Sequence, residues 1–338
     1  MNNNNVMAEP VVVPTKTKEQ VTKAKKATRA AVFGTFVEYY DFSVYGYVAA
    51  TLAMVFFPSD DPTIGLLNTF LVFGSAFLVR PLGAIGFGWL GDKVGRRTSL
   101  IASITLMGAA ATLIGLLPGY AVIGVWAPIL LVALRMLQGF SAGGEIGGAA
   151  SYIREWAPAN RRSLYISFLP SIAQLGKGLA AAIAGLAAAT LTDPQMLEWG
   201  WRVPFLLALP LGIIGLWMRL SIEDSPEFES KKDETAVKKS QPFAELISSY
   251  PRALFKVILI ALVQNIGTYI GTVFIAAYFS SILGYTKGQA STIVLIAVIL
   301  AAFLIPLAGQ LGSYRGGKSI LRLSYLAYAL LSIPSFIL

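Results

Sequence analysis

The sequence predicts an all-α membrane protein, and its composition is the first reason. Of its 338 residues 55% are hydrophobic and 13% are charged, and the mean hydropathy is +0.65. Charged residues make up roughly a quarter of ordinary globular domains. Apolar runs of about 20 residues, the length that crosses a bilayer as a helix, recur along the whole chain. The basic residues lie almost entirely in alternate loops between those runs.

The apolar runs predict nine membrane spans. Their approximate bounds are 31–57, 64–90, 99–118, 125–150, 163–190, 202–220, 253–283, 291–312 and 319–338. Residues 1–29 are polar, basic and of low complexity, and they lack the apolar core of a cleavable signal peptide. We expect them to form a disordered cytoplasmic tail.

The distribution of bases predicts the orientation in the membrane. The tail and the loops at 93–97, 154–162, 219–256 and 315–322 carry nearly all of them. The opposite side holds only Arg202 and Lys287. Because Lys and Arg are strongly biased to cytoplasmic loops, we expect a multi-pass protein of the plasma membrane with a cytoplasmic amino terminus. Arg219 is included among the bases of the 219–256 loop, so we expect it to lie on the cytoplasmic side.

Charge and reactive residues narrow the function further. The net charge of +9 is explained by orientation, so it gives no reason to expect a nucleic-acid partner. The chain has neither cysteine nor histidine, which excludes disulfides and thiolate metal sites, and we expect no metal and no cofactor. Any proton bound inside the membrane would then sit on a carboxylate.

A polar segment at 221–252 predicts a division into domains. It is the only long polar stretch after the tail, so we expect a cytoplasmic linker between a six-helix bundle at 30–220 and a partial second bundle at 253–338. An internal repeat supports this division. GWLGDKVGRR from Gly88 aligns with GQLGSYRGGK from Gly309, which is the pattern of two parallel repeats.

The most informative stretch is RPLGAIGFGWLGDKVGRR, which ends one apolar run and begins the next after a short charged turn. GWLGDKVGRR resembles the loop between the second and third helices of the major facilitator superfamily, Gly-x-x-x-Asp-Arg/Lys-x-Gly-Arg-Arg. EYYDFSVYG before it and RMLQGFSAGGE after it resemble the metabolite:proton symporter branch. SIEDSPEF resembles the segment that follows the sixth helix in this superfamily.

The resemblance implies a fold and a function. We expect the major facilitator fold of two parallel six-helix repeats, with the C-terminal half incomplete, because the superfamily has twelve helices and nine are predicted here; we infer a fragment or an incomplete gene model. The expected function is proton symport of a small organic solute by alternating access. ALPLGIIGLWMRLSIEDSPEF and LAYALLSIPSFIL resemble most the transporters of compatible solutes such as proline and glycine betaine.

Ionisable side chains inside the spans are candidates for proton coupling, because each costs roughly 2.5–3.5 kcal/mol to insert. Glu38 and Asp41 share one face of the first helix with Tyr45. Their alternative role is a structural pair with a neighbouring base, and Arg80 is expected to be structural. In the fourth helix the candidates are Arg135 and Glu145.

We expect Asp41 and Arg135 to form the coupling pair, since the Arg of the resembling fourth-helix motif is implicated in proton coupling in related symporters. Protonation of Asp41 would weaken the pair and free Arg135 for an anionic group of the solute. The alternative is a permanently closed bridge that orders two helices. The recurring glycines Gly139, Gly143 and Gly147 are expected to seat another helix.

Residues that would contact a solute are polar or aromatic and lie within the spans. Lys177 is a candidate for binding a carboxylate, and aromatic rings could bind a quaternary ammonium through cation–π contacts, although most such rings pack within the protein. The candidates are Tyr39, Tyr45, Gln138, Gln174, Lys177, Asn265 and Tyr269.

Charged residues at the loops are expected, by resemblance, to lock a cytoplasmic gate; a merely solvated charge cluster is the alternative. They are Asp92, Arg96, Arg97, Glu155 and Arg162. GSYRGGKS at 312–319 satisfies the phosphate-loop pattern, but an apolar helix precedes it instead of a buried strand, so we expect no nucleotide partner.

Three further alternatives concern function. The solute could be a carboxylate such as 2-oxoglutarate, citrate or shikimate, which Arg135 and Lys177 favour. The chain could also be a passive channel or a non-transporting membrane sensor. A membrane enzyme is not expected, since the sequence has no nucleophile–base constellation.

Overall fold

The computed structural model is helical along nearly all of the residues that it describes, which are 18–224, 247–271, 275, 278, 279, 282–285 and 287–337. No strand occurs among them. Residues 1–17 of the expected tail and 225–246 of the expected linker lie outside the described residues. The helices on either side of that linker end at Leu220 and begin at Pro251.

Within the described residues, nine long helices, labelled α1 to α9, correspond in order to the nine predicted spans. Their bounds are Lys18–Tyr47 (α1), Pro62–Lys93 (α2), Arg96–Leu116 (α3), Trp126–Trp156 (α4), Arg162–Thr190 (α5), Ala208–Leu220 (α6), Pro251–Tyr269 (α7), Lys287–Arg315 (α8) and Gly317–Ile337 (α9). Short helices at Ala49–Phe56, Tyr120–Ile123, Asp193–Gln195 and Arg202–Leu206 join or extend them.

The first helix begins earlier than the sequence predicts. Residues 18–29 belong to α1, so the expectation of disorder is wrong for this part of the tail. Ala24 and Ala27 are buried against a cluster that includes Trp156 of α4, and this apolar face stabilises the extension. Lys23 pairs with Glu223 at 3.0 Å, which raises the pKa of the Lys23 ammonium group.

By length and composition, seven helical stretches within the described residues are apolar enough to cross a membrane. They include α2 to α8, and α1 and α9 fall outside this set. In α1 the reason is visible in the sequence. Its bases at 18–29 and its acids Glu38 and Asp41 leave no long uncharged stretch, and the helix is interrupted at Val48 before Ala49–Phe56 continues it.

Helices α2 and α4 pack so closely that their backbones touch. A Cβ atom added at Gly139 would overlap the carbonyl of Ala76, and one at Gly143 would overlap the carbonyl of Arg80. The expectation that these glycines seat another helix is confirmed for both. It is wrong for Gly147, which is exposed and would meet nothing within 4 Å.

The two parts of the chain on either side of the linker contact each other through α5 and α8. Ser171 donates a hydrogen bond to the carbonyl of Ala302 at 2.5 Å, and the amide of Leu164 donates to the hydroxyl of Ser313 at 3.2 Å. Ser313 stands where the first repeat has Asp92. A hydroxyl that caps the start of α5 therefore replaces the acid in the second copy.

Both turns of the internal repeat contain a glycine with a positive φ. Gly95 precedes α3 with φ 123° and Gly316 precedes α9 with φ 82°, a region that favours glycine. These are the glycines that the sequence repeat aligns. The helix pairs α2–α3 and α8–α9 thus reverse direction at equivalent positions, as expected for two copies of one structural unit.

We predict that Gly143→Ala destabilises the protein, because the new methyl group has to displace the backbone of α2. Overpacking of this kind typically costs about 1–3 kcal/mol. Gly147→Ala is the matched control one turn further along, and it should be neutral or slightly stabilising, since Ala favours a helix over Gly by about 1 kcal/mol. Thermal unfolding in detergent measures both. Equal unfolding temperatures would contradict the packing described.

Candidate functional site

A chain of three buried polar side chains connects α1 and α4. The amide of Gln138 donates a hydrogen bond to one carboxylate oxygen of Asp41 at 2.5 Å, and Arg135 donates to the amide oxygen of Gln138 at 2.8 Å. All three side chains are buried. The sequence predicts that Asp41 and Arg135 form the coupling pair, and in the structure described the two are linked through the Gln138 amide, which lies between the acid and the base.

Arg135 is held largely by aromatic rings. Its guanidinium carbon lies 4.3 Å from the ring centre of Tyr45, 4.8 Å from that of Phe42 and 5.5 Å from that of Phe73. Its Nε and one terminal nitrogen have no hydrogen-bond partner. Cation–π contacts stabilise the charge, while unused N–H groups remain.

A second acid of α1 pairs with α2. Glu38, which is fully buried, lies 3.2 Å from Arg80, and the Arg80 guanidinium also lies over the rings of Phe42 and Phe77. Arg80, for which we expect a structural role, therefore has a specific partner in Glu38. The second oxygen of Glu38 and the second oxygen of Asp41 have no hydrogen-bond partner, so each acid keeps a free acceptor.

A third acid, Glu145 of α4, pairs with a base that sequence reasoning assigned to a loop. Arg219, in the last turn of α6, is fully buried and forms a two-pronged contact with the Glu145 carboxylate. Its placement among the loop bases is therefore wrong. A stripe of small residues at Ala208, Gly212 and Gly215, spaced to share one helix face with Arg219, was the available signal.

On a different face of α1, Tyr39 lies next to a partly exposed polar side chain of α5, Lys177. The ammonium of Lys177 in α5 lies 5.2 Å from the ring centre of Tyr39. Gln174, one turn before Lys177, has a carbonyl oxygen without a hydrogen-bond partner. Tyr39, Gln174 and Lys177 are each partly exposed, in contrast to the fully buried Asp41 network.

The remaining candidates for solute contact lie elsewhere. Tyr45 is fully buried and donates a hydrogen bond to the carbonyl of Thr69 at 3.1 Å, and both functional groups of the Gln138 amide are used. We therefore assign Tyr45 and Gln138 to the buried network, because neither presents a free polar group to a solute. Asn265 is exposed on α7 and bonds to its own helix, and the Tyr269 side chain lies outside the described residues.

Three of the five expected gate residues form one connected ion-pair cluster at the end of the bundle that carries the α2–α3 turn, which we call the basic end. Arg96 pairs with Asp92 at 2.8 Å and with Glu155 at 3.4 Å. Arg97 donates to the carbonyl of Leu220 at 2.6 Å. Arg162 forms no ion pair among the described residues, and its Nε is buried without a partner.

The long apolar helices, and the buried charged side chains that find partners on neighbouring helices, define a multi-pass helical membrane protein. A family model described as the Major Facilitator Superfamily matches residues 31–338. The chain therefore belongs to the major facilitator superfamily, whose members are membrane transporters and not enzymes.

Several known proteins are similar to this chain. It is 37% identical over 324 residues to the proline/betaine transporter of Salmonella typhimurium, covering 94% of this chain and 65% of that protein. It is 37% identical over 318 residues to the shikimate transporter of Escherichia coli, covering 94% of this chain and 73% of that protein. The chain thus spans about 65% of the length of the proline/betaine transporter that it matches.

Among solved structures, the proton:xylose symporter XylE bound to 6-bromo-6-deoxy-D-glucose is similar, with a TM-score of 0.69 and 16% identity, over 87% of this chain and 70% of that one. At this identity the likeness concerns the fold.

We predict that Gln138→Leu lowers stability, because it leaves an Asp41 oxygen and an Arg135 N–H without partners. A buried polar group left unsatisfied costs about 1–3 kcal/mol. Gln174→Leu is the matched control, since it removes an oxygen that has no partner, and it should be neutral or stabilising. Thermal unfolding in detergent compares them. Similar losses in both variants would contradict the bridging role of Gln138.

Proposed function

We propose that the protein carries a small organic solute together with protons across the plasma membrane by alternating access, with its amino terminus in the cytoplasm. The observation that carries this proposal is the Asp41 carboxylate, buried with one oxygen bonded to Gln138 and the other unpartnered. Buried carboxylates within a membrane bundle are typical of proton relays. The relatives named as transporters support the same function.

The proposed mechanism begins with protonation of Asp41 on its free oxygen. The neutral acid no longer balances the charge of Arg135 through the Gln138 amide, so the contact between α1 and α4 weakens. Because α1 carries Tyr39 on another face, next to Lys177, a shift of α1 changes the partly exposed surface as well. Protonation and solute binding are then coupled through the position of one helix.

We further propose that Lys177 binds the carboxylate of the solute, with Tyr39 and Gln174 beside it. A half-buried ammonium is only partly solvated, so an anionic group gains more from contact with it than in water. Arg135 is less suited to this role in the structure described, since it is fully buried, lies against three aromatic rings and is bonded to Gln138.

The proposed organisation follows the sequence division: an amino-terminal bundle at 30–220, a cytoplasmic linker at 221–252 and a partial second bundle at 253–338. On this arrangement the basic end faces the cytoplasm, in agreement with the bias of Lys and Arg to that side. The ion pairs of Arg96 with Asp92 and Glu155 then form part of the cytoplasmic gate.

For the solute we propose a zwitterion such as proline or glycine betaine, as in the names of several relatives. The second candidate is a carboxylate, which the similarity to the shikimate transporter favours. Uptake of labelled proline, glycine betaine, shikimate and 2-oxoglutarate into vesicles that carry the protein separates them, with and without a protonophore. Flux that persists unchanged with the protonophore would indicate a passive channel instead.

We predict that Asp41→Asn abolishes uphill accumulation of the solute but preserves exchange of labelled for unlabelled solute, because an amide keeps the Gln138 contact and cannot bind the proton. We expect accumulation to fall at least about tenfold, the scale of a lost interaction worth 1.4 kcal/mol or more. Asp61→Asn is the control, since Asp61 only caps the exposed start of α2. Uphill accumulation at the parental level by Asp41→Asn would overturn the proton role.

We predict that Lys177→Met raises the KM for the solute about tenfold or more, the scale of a lost charge-assisted hydrogen bond of about 1.5–3 kcal/mol. Lys177→Arg should restore part of the affinity because it keeps a cation at the site. Lys25→Met changes an exposed lysine of the α1 extension and should leave KM unaltered. An unchanged KM in Lys177→Met would remove Lys177 from the solute site.

A further inference from the structure

The Glu145–Arg219 pair is the meeting point of four helices. Arg219 of α6 contacts both carboxylate oxygens of Glu145 in α4 and donates to the Leu100 carbonyl of α3. The hydroxyl of Ser103 donates to Glu145 at 2.7 Å. Helix α1 forms the fourth wall at Gly34, where a Cβ atom would overlap both the guanidinium and the carboxylate.

The backbone next to Arg219 holds the α2–α3 turn. The Arg97 side chain donates to the carbonyl of Arg219 at 3.3 Å and to that of Leu220 at 2.6 Å, and the Arg97 amide donates to Asp224 at 3.3 Å. Arg97 is thus anchored to the end of α6 by two hydrogen bonds and to Asp224, just beyond that end, by a third. The acceptors are aligned by the position of α6, which the Arg219 side chain fixes.

The neighbouring residue completes the connection to the gate. Arg96 directly precedes Arg97 in the chain and makes the ion pairs with Asp92 and Glu155. A change in the position of α6 would move the Arg97 acceptors, turn the start of α3 and alter the geometry of Arg96. The buried pair is therefore linked to the ion pairs of Arg96 through the α6 backbone, the Arg97 side chain that binds it, and the peptide bond between Arg96 and Arg97.

A second arginine offers an internal comparison. Arg202, in the short helix before α6, donates to the carbonyls of Gly115 and Leu117 at 3.0 and 2.8 Å. It thereby joins the same α3 and the same sixth span at the end of the bundle opposite to the basic end. Arg202 braces these elements without any contact to the α2–α3 turn, so bracing and gate positioning can be tested separately.

We propose that Arg219, held by Glu145, is a positioning residue for the gate: it fixes the end of α6 so that Arg97 and Arg96 hold the basic end closed. This inference rests on the proposed transport function, because the gate has a role only if the protein is a transporter. Closure of the basic end can nevertheless be measured without any transport. Burying the charges of Glu145 and Arg219 costs desolvation free energy, whereas two apolar side chains would hold the same helices together without that cost. The use of a charged pair therefore favours a positioning role over a purely stabilising one.

The α5–α8 contact supplies a reporter of closure. A Cβ atom on Gly312 would lie 3.6 Å from the Cβ of Ser163, within the range of a disulfide. The chain has no cysteine, so Ser163→Cys with Gly312→Cys introduces the only two thiols. Oxidation in membrane vesicles then cross-links the basic ends of α5 and α8 when they are together, and loss of maleimide reactivity measures the rate.

We expect Glu145→Gln and Arg219→Gln each to slow cross-linking at least fivefold, and Arg219→Lys to recover part of the rate. The decisive variant is the double substitution Glu145→Gln with Arg219→Gln, which leaves no unpaired buried charge and should regain thermal stability. A positioning role predicts that its cross-linking stays slow although its stability returns. A purely structural role predicts that both return together.

Arg202→Gln is the control for bracing at the opposite end; it should lower the unfolding temperature and leave the cross-linking rate within twofold of the parent. Ser103→Ala keeps the ion pair, removes one hydrogen bond to Glu145 and should slow cross-linking two- to threefold, which provides a test if the stronger variants fail to fold. Parental cross-linking in Ser103→Ala or in the double variant would overturn the proposal. Absence of solute uptake by the parent protein would overturn the proposed function, but the comparison of cross-linking rates among these variants would still test the positioning role of Arg219.

Discussion

Everything in this bundle depends on one constraint: a charged side chain removed from water into a membrane bundle needs a partner from another part of the protein. Asp41 meets its partner Gln138 on α4, Glu38 meets Arg80 on α2, and Glu145 meets Arg219 on α6. Each partnership selects a pair of helices and a face on each. Together they specify how α1, α2, α4 and α6 surround one another, and glycines at the closest approaches make these contacts sterically possible.

The two faces of α1 show how this constraint relates to function. Asp41 faces the buried network on α4, whereas Tyr39, only two residues away, lies beside Lys177 of α5. In the proposed cycle the proton and the solute therefore bind on different faces of one helix. The helix itself transmits the effect of one on the other, and no direct contact between them is needed. At the basic end, we propose that the contacts between α6 and the α2–α3 turn hold the gate closed.

The sequence was sufficient for much of this architecture. Apolar runs predicted all nine helices in order, and the aligned glycines Gly95 and Gly316 predicted equivalent turns, because a positive φ leaves few other residues possible. The sequence was insufficient where a prediction depended on which side chains meet in space.

An arginine at the end of a span, such as Arg219, has the same local sequence pattern whether it faces water or a buried acid, and only the position of Glu145 decides between the two. For the same reason the sequence placed Asp41 against Arg135 and missed the amide between them. The helical extension at 18–29 was missed because its burial depends on α4 and the end of α6.

The central claim, that a carboxyl group of α1 gains and loses a proton within the bundle, can be observed directly. Infrared difference spectra of the protein in lipid, recorded between acidic and neutral pH, report the C=O stretch of a protonated buried carboxyl group. The account predicts such a band, its loss in the Asp41 amide variant, its retention in the Asp61 amide variant, and a shift on addition of the solute. A spectrum without this band, or a band that survives removal of the Asp41 carboxyl, would contradict the account.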